Sequence, residues 1–331
     1  MKRLFLIACL CLLCGGLTAA QDTPSPWAAT YYSPYIFPGE APLAATAKLT
    51  GVRYFTLAFI IAGDGCRASW NGGATLKNQP YLEQEIEQLR AMGGDVAVSF
   101  GGAAGDELAL ACPDAEALAE QYQSVVDAYH LTHLDLDIEG DELDDPESIE
   151  RRAQALVLLQ AQADEPGVPL SLSFTLPVLP TGLTAGGLAV LQSAIDHDVR
   201  VDVVNIMTMD YGPDFPPDQM GQNAIDAAKS LVTQLADLYP DRTPEQLWQM
   251  IGLTPMIGVN DVQAEVFTLA DAEQVTDFAL DNGIQRLSMW SLGRDRECVS
   301  GQRILSGQCS GVPQDKYAFS AIFNRVNQTE P

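Results

Sequence analysis

Apolar and polar positions along this chain follow two alternating rhythms. Short apolar and β-branched runs recur at 28–35, 54–62, 96–100, 133–138, 170–176, 201–209, 251–257 and 286–292, and each reads as a strand. Between them, at 81–92, 115–129, 146–162, 183–196, 222–238 and 269–282, apolar residues return at the spacing of a helix with one buried face. Residues 42–49 leave room for one more short helix, and 317–326 predicts a closing one. Pro146 suits a first helical turn and Gly283 a helix stop. Eight strands joined by helical crossovers predict a parallel sheet, and eight units in one domain predict a single closed (β/α)8 TIM barrel. No repeat or low-complexity linker breaks the pattern, and the Pro-rich stretch 211–217 falls in the loop after the sixth strand.

The first residues lie outside this rhythm. Lys2 and Arg3 precede an apolar run from Leu4 to Cys14, then the small residues Thr18, Ala19 and Ala20. This predicts a secretion signal over 1–20, cut near Ala20, and a mature chain over 21–331, extracellular or periplasmic. Leu6-Ile7-Ala8-Cys9 fits a lipoprotein box, but too little apolar chain precedes it. No later run reaches membrane length.

Composition narrows the partners. Of 331 residues 47% are apolar, enough for a large core, so disorder is excluded as the main state. Lys plus Arg number 18 against 44 Asp plus Glu, a net charge of −26. Such a chain repels phosphate backbones and anionic lipid, so neither nucleic acid nor membrane is an expected partner. A monomer is expected.

Once Cys9, Cys11 and Cys14 leave with the signal, Cys66, Cys112, Cys298 and Cys309 remain, an even number suited to an oxidising compartment. Three pairings are possible. In a barrel the loops after strands two and three share one face, which favours Cys66–Cys112, and both other cysteines follow strand eight, which favours Cys298–Cys309. The mature chain has no Cys-x-x-Cys pair, and His130 and His133 read as surface or strand-entry residues. No metal and no cofactor are expected.

The segment His133-Leu134-Asp135-Leu136-Asp137-Ile138-Glu139-Gly140 carries the candidate chemistry. Alternate residues of a strand share a face, about 7 Å apart. Asp135, Asp137 and Glu139 therefore climb one face, and Leu134, Leu136 and Ile138 pack on the other. Three acids in a confined interior cannot all ionise cheaply, so a proton is shared and the rim residue Glu139 has a raised pKa. A carboxyl raised toward neutrality is a general acid. Two other readings are a solvent-facing acidic strand edge, opposed by the apolar alternation, and a divalent-metal site, whose ligands would come from several elements.

These residues resemble family 18 of the glycoside hydrolases, the chitinase family. Its strand-four signature Asp-x-x-Asp-x-Asp-x-Glu is met at Asp135, Asp137 and Glu139, with Thr132 departing at the first position. Its strand-three Ser-x-Gly-Gly appears as Ser99-Phe100-Gly101-Gly102, and its strand-eight Trp as Trp290. Strand six reads Asn205-Ile206-Met207-Thr208-Met209-Asp210-Tyr211, where the family often has Met-x-Tyr-Asp. Strand seven, Leu253 to Asp261, resembles the Pyrococcus-type chitinase branch. The motifs fall in order over nearly the whole mature chain.

The resemblance implies a TIM barrel and a retaining, substrate-assisted reaction on β-linked N-acetylglucosamine, as in chitin. Glu139 would be the acid and base, Asp137 would orient the substrate acetamide, and Asp135 would share a proton with Asp137. Trp290 would form the sugar floor. Met209 stands at the Tyr that bonds the acetamide, and Tyr211, on the face of Met207 and Met209 by strand parity, would supply the hydroxyl instead. Asp210 would tune Glu139 or hold a sugar hydroxyl. Tyr32, Tyr35 and Trp70 are candidate outer sugar contacts, while Ser99 and the Gly101-Gly102 pair are structural. An endo-β-N-acetylglucosaminidase acting on glycoprotein glycans, or a non-catalytic chitin-binding barrel, would use the same frame.

Overall fold

A computed structural model describes residues 27–76, 79–163 and 169–328. The expected export signal over 1–20 and its expected cut site lie outside the described residues. Strand ladders run parallel from Tyr54–Ala62 to Asp95–Gly101, His133–Asp137, Ser171–Leu179, Val203–Met207, Ile251–Thr254 and Arg286–Leu287, in that order. These correspond to strands two to eight of the sequence pattern. Strand one is split. Tyr31–Tyr32 pairs with Arg286–Leu287, and Tyr35–Ile36 pairs with Tyr54–Ala62. Across the split, the Ser33 N–H donates to Leu287 O (2.9 Å) and the Thr56 N–H to Pro34 O (3.0 Å). The segment 31–36 is thus bonded on both of its sides.

The sheet is mixed, which corrects the all-parallel expectation. Tyr54–Ala62 runs on past the ladder and is met antiparallel by Ala68–Trp70, itself paired with Ala74–Thr75. Ser171–Leu179 likewise folds back onto Gly182–Leu183, and Gly258–Val259 pairs with Val266–Phe267 as a separate hairpin. Gly63, Gly65 and Gly182 stand in or beside the turns, where chain reversal is cheap.

The crossover helices fall close to their expected places: Leu43–Thr50, Pro80–Arg90, Ala115–Tyr129, Pro146–Ala163, Ala185–Asp196, Met220–Leu238, Leu269–Asn282 and the closing Ala318–Phe323. Asp114 caps Ala115–Tyr129 by accepting the Ala117 N–H (2.8 Å), and Gly283 ends Leu269–Asn282 in the left-handed region (φ 68°). Two short helices, Leu108–Ala111 and Pro244–Trp248, were hidden in segments that read as loop. Leu134, Leu136, Phe100, Phe174, Leu172 and Ile206 are all buried between strands and helices.

At the end of the strands opposite the site, Trp27 lies over the first residues of three strands. Its ring stacks on Tyr54 (4.4 Å) and His133 (4.0 Å), and its Nε1–H donates to Asp95 Oδ2 (3.1 Å). Burial, against the attraction of Asp95, holds the His133 imidazole down to about 4, so it stays neutral there.

Candidate active site

The strand His133–Asp137 turns its acids inward, because Leu134, Leu136 and Ile138 bury on the helix side. Asp135 is fully buried and its oxygens are filled by donors. Oδ1 accepts from Arg286 Nη1 (2.7 Å), Thr175 Oγ1 (2.8 Å) and Ser173 Oγ; Oδ2 accepts from Tyr35 OH and Ser99 Oγ (both 2.7 Å). Burial alone would raise this carboxyl, but the Arg286 charge and the hydroxyls outweigh it and hold Asp135 below the usual carboxylate range. Asp135 is therefore an ionised anchor.

Asp137, one step higher, is 6% exposed, and its Oδ1 has no hydrogen-bond partner among the described residues. Burial, then the charges of Glu139 and Asp135, push it well above the ordinary value. Both effects favour the protonated form of Asp137. Asp135 already accepts five donors, so a proton shared between Asp135 and Asp137, as expected from sequence, is biased toward Asp137. Glu139 follows the strand in extended conformation (φ −146°) and leads into the turn Gly140–Leu143. Burial, then the charges of Glu142, Asp261 and Asp210, push it up to about 7.

Above Asp137 opens a cavity of about 480 Å³ at the C-terminal ends of the strands. Asp137, Glu139, Asp210 and Asp261 are its acids; Tyr35, Phe37, Phe59 and Trp290 form an aromatic wall; Met207, Met209 and Met256 line it as well. The Trp290 ring stacks on Phe59 at 5.6 Å and meets Phe37 edge-on at 5.6 Å. Asp210 takes a left-handed backbone (φ 52°), accepts the Val262 N–H (2.7 Å), and is raised by burial and by Asp261. Such a cavity offers an acid near neutrality, an unpartnered acceptor beside it, and an apolar face for a sugar ring.

The cavity thus gathers Asp137, Glu139, Asp210, Met207, Met209, Tyr35 and Trp290, with Asp135 one layer beneath. Three expected residues are elsewhere. Tyr32 faces the helices, with its hydroxyl 3.3 Å from Ser320 Oγ and its ring on Phe323. Trp70 lies on Ala68–Trp70, buried, and donates to Tyr129 OH (2.8 Å). Tyr211 is buried against Phe215 and is not among the residues lining the cavity. The parity argument fails for it because the strand ends at Met207 and the chain kinks at Asp210.

Reading the sequence alone missed Phe37, Phe59, Asn71, Met256 and Asp261 as lining residues. Asp261, directly after strand seven, had the signal of an acid at a strand's C-terminal end. The two phenylalanines carried only the signal of core. Thr132, at the departed first-acid position, lies with Oγ1 3.4 Å from Asp95 Oδ2 at the base. Both expected disulfides, Cys66–Cys112 and Cys298–Cys309, are formed.

No protein-family model matches the chain. Among curated proteins it is 38% identical to a probable bifunctional chitinase/lysozyme of Escherichia coli (strain K12), over 90% of this chain and 34% of that protein. It is also 38% identical to endochitinase 11 of Metarhizium anisopliae, over 81% of this chain and 53% of that one. The chain spans about a third and about half of the length of these two relatives. The catalytic domain of a hyperthermophilic chitinase from Pyrococcus furiosus superposes with a TM-score of 0.82 at 37% identity, covering 92% of this chain and 96% of that one. A GH18 chitinase from Pseudoalteromonas aurantia shares the fold alone, at 18% identity and a TM-score of 0.57. Both the acid ladder and the likeness to the Pyrococcus furiosus domain, which extends over nearly the full length of the two chains, lead to one conclusion: the chain belongs to family 18 of the glycoside hydrolases, in the branch of the Pyrococcus-type chitinases.

Proposed function

We propose that this protein is a secreted chitinase that cleaves β-1,4 links between N-acetylglucosamine units with retention of configuration. The observation that carries the reading is the ladder Asp135–Asp137–Glu139, whose lowest acid is ionised and whose upper two are pushed toward the protonated form beneath one cavity. Glu139 donates its carboxyl proton to the glycosidic oxygen. The carbonyl oxygen of the substrate's own 2-acetamido group attacks the anomeric carbon, and the leaving sugar departs with the proton. The unpartnered Oδ1 of Asp137 accepts the acetamide N–H, and the negative potential of Asp135 below stabilises the oxazolinium. Glu139, now a carboxylate, takes a proton from the water that opens the ring. Trp290 forms the apolar floor.

The same reading takes the wall as one closed eight-stranded barrel, with segment 31–36 as its seam, supported by that segment's bonds on both sides. Export is supported by the basic start, the apolar run and the disulfides.

Glu139→Gln is expected to lower kcat on a chitin hexamer about 10³-fold with KM little changed, since only the acid is removed. Unchanged turnover would refute the assignment. The first-formed product should be the β anomer, read by NMR of early time points, and an α product would remove the oxazolinium step.

A further inference from the structure

Behind the acid ladder lies a buried ion pair that the reaction above does not use. Glu107 (3% exposed) and Arg152 (1%) meet in bidentate fashion: Arg152 Nε–H donates to Glu107 Oε1 (2.8 Å) and Nη2 to Oε2. Each partner belongs to a segment next to one of the acids. Glu107 lies past the strand Asp95–Gly101 and opens the short helix Leu108–Ala111, which Cys112 ties to Cys66. Arg152 is on Pro146–Ala163, the helix entered through the turn that begins after Glu139. Its neighbour Arg151 also donates, from Nη1 to Ala109 O. The two segments are thus bolted together by adjacent arginines.

Glu107 and the backbone of Asp137 both lie near Gly101, and the Glu107 charge acts on the Asp137 carboxyl. A Cβ at Gly101 would clash with Asp137 O at 2.1 Å and come into ordinary contact with Glu107 Cγ at 3.8 Å, so the first approach, with φ 94°, requires glycine there. The Gly102 N–H closes the same contact by donating to Asp137 O (3.0 Å). Tyr122 is fully buried in the field of the pair, and its hydroxyl has no hydrogen-bond partner among the described residues.

An ion pair this deeply buried is a poor source of stability, because desolvation offsets the attraction and apolar residues of like volume do as well or better. Its place between the two loops that flank Asp137 and Glu139 gives it another use. We propose that Glu107 and Arg152 are positioning residues for the hydrolysis, an internal strut that locks the loop after strand three to the helix after Glu139 and so fixes the separation of Glu139 from Asp137. This rests on the chitinase reading above.

The charged groups that bear on the two acids are few. Asp137 faces Glu139, Asp135, Arg286 and Glu107, and Glu139 faces Glu142, Asp261 and Asp210. Arg152 acts in turn on Glu142. In Glu107→Gln the shape is kept but the Arg152 charge is no longer balanced. The alkaline limb of kcat/KM on a chitin hexamer is then expected to move down by about half to one pH unit, and kcat to fall about ten-fold with KM nearly unchanged. Arg152→Lys keeps the charge and loses the fork, so kcat should fall without that displacement of the limb. The double variant Glu107→Leu/Arg152→Met should regain a near-native Tm while kcat stays low. A folded double variant with native kcat, or Glu107→Gln with a native limb and kcat, would overturn the strut; if Glu107→Gln fails to fold, the double variant alone decides. Glu139→Gln assayed beside them separates the two failures: if it still turns over, the chitinase reading falls, and if it is dead while the strut variants are native, only the strut falls.

Discussion

The proposed chemistry rests, at the residue scale, on three carboxylates on one strand given three different surroundings. Asp135 is ringed by donors and a guanidinium, Asp137 is buried at the cavity wall with one oxygen unpartnered among the described residues, and Glu139 lies half-buried among other acids. The sign of each shift follows from that. Glu139 must be protonated to act as acid, and it is pushed up to about 7. The kcat/KM profile should therefore hold below neutrality and fall as pH rises through about 7, an alkaline limb that is read directly from initial rates against pH. Asp135 runs the other way. Its lowered pKa gives stability that is present above the ordinary carboxylate range and lost as acid protonates it in the fold. Arg286→Met would strand that buried charge and should destabilise by about 3–5 kcal/mol in denaturant melts. Adding Asp135→Asn should recover part of the loss, and if Arg286→Met alone melts like the parent, Asp135 is not held by its partner.

At the scale of elements, the loops after the strands carry the site and the disulfides hold the loops. Cys66–Cys112 links the loop after strand two to the loop after strand three, and Cys298–Cys309 closes an excursion after strand eight; Arg294, just before that excursion, donates to Ser306 O within it and to Ile257 O (2.9 Å). With sequence separations of 46 and 11, loop closure is worth about 4 and about 3 kcal/mol in the chain-entropy model. Cys66→Ser/Cys112→Ser should lower Tm more than Cys298→Ser/Cys309→Ser, measured by calorimetry on the oxidised parent and both variants; the opposite order would count against the model.

Which elements were legible follows from how they are built. Strands and crossover helices bury one face, and burial leaves a period in the sequence, so the strand order and the inward acids could be read directly. The hairpin additions left no period, since two- and three-residue strands are too short to show one. Tyr211 misled for a related reason: parity holds only while the backbone stays extended, and the left-handed Asp210 ends that. Tyr32 and Trp70 misled because an aromatic ring is written the same way in a core as in a binding wall, and Phe37 and Phe59 were overlooked for the same reason.

For the whole molecule, the two ends of the sheet do different work. The C-terminal ends are open and acidic around the cavity, while the N-terminal ends meet the indole of Trp27, flanked by Tyr54 and His133 and bonded to Asp95. Trp27 is thus a stopper. A shortened version of the protein that starts beyond it would leave the underside ajar, wet the imidazole of His133 and let it charge in mild acid. Such a trimmed enzyme should keep its catalytic groups and melt lower near neutrality, yet lose less further stability on acidification toward pH 4 than the full-length protein, whose fold must keep that ring neutral while the unfolded chain takes up the proton.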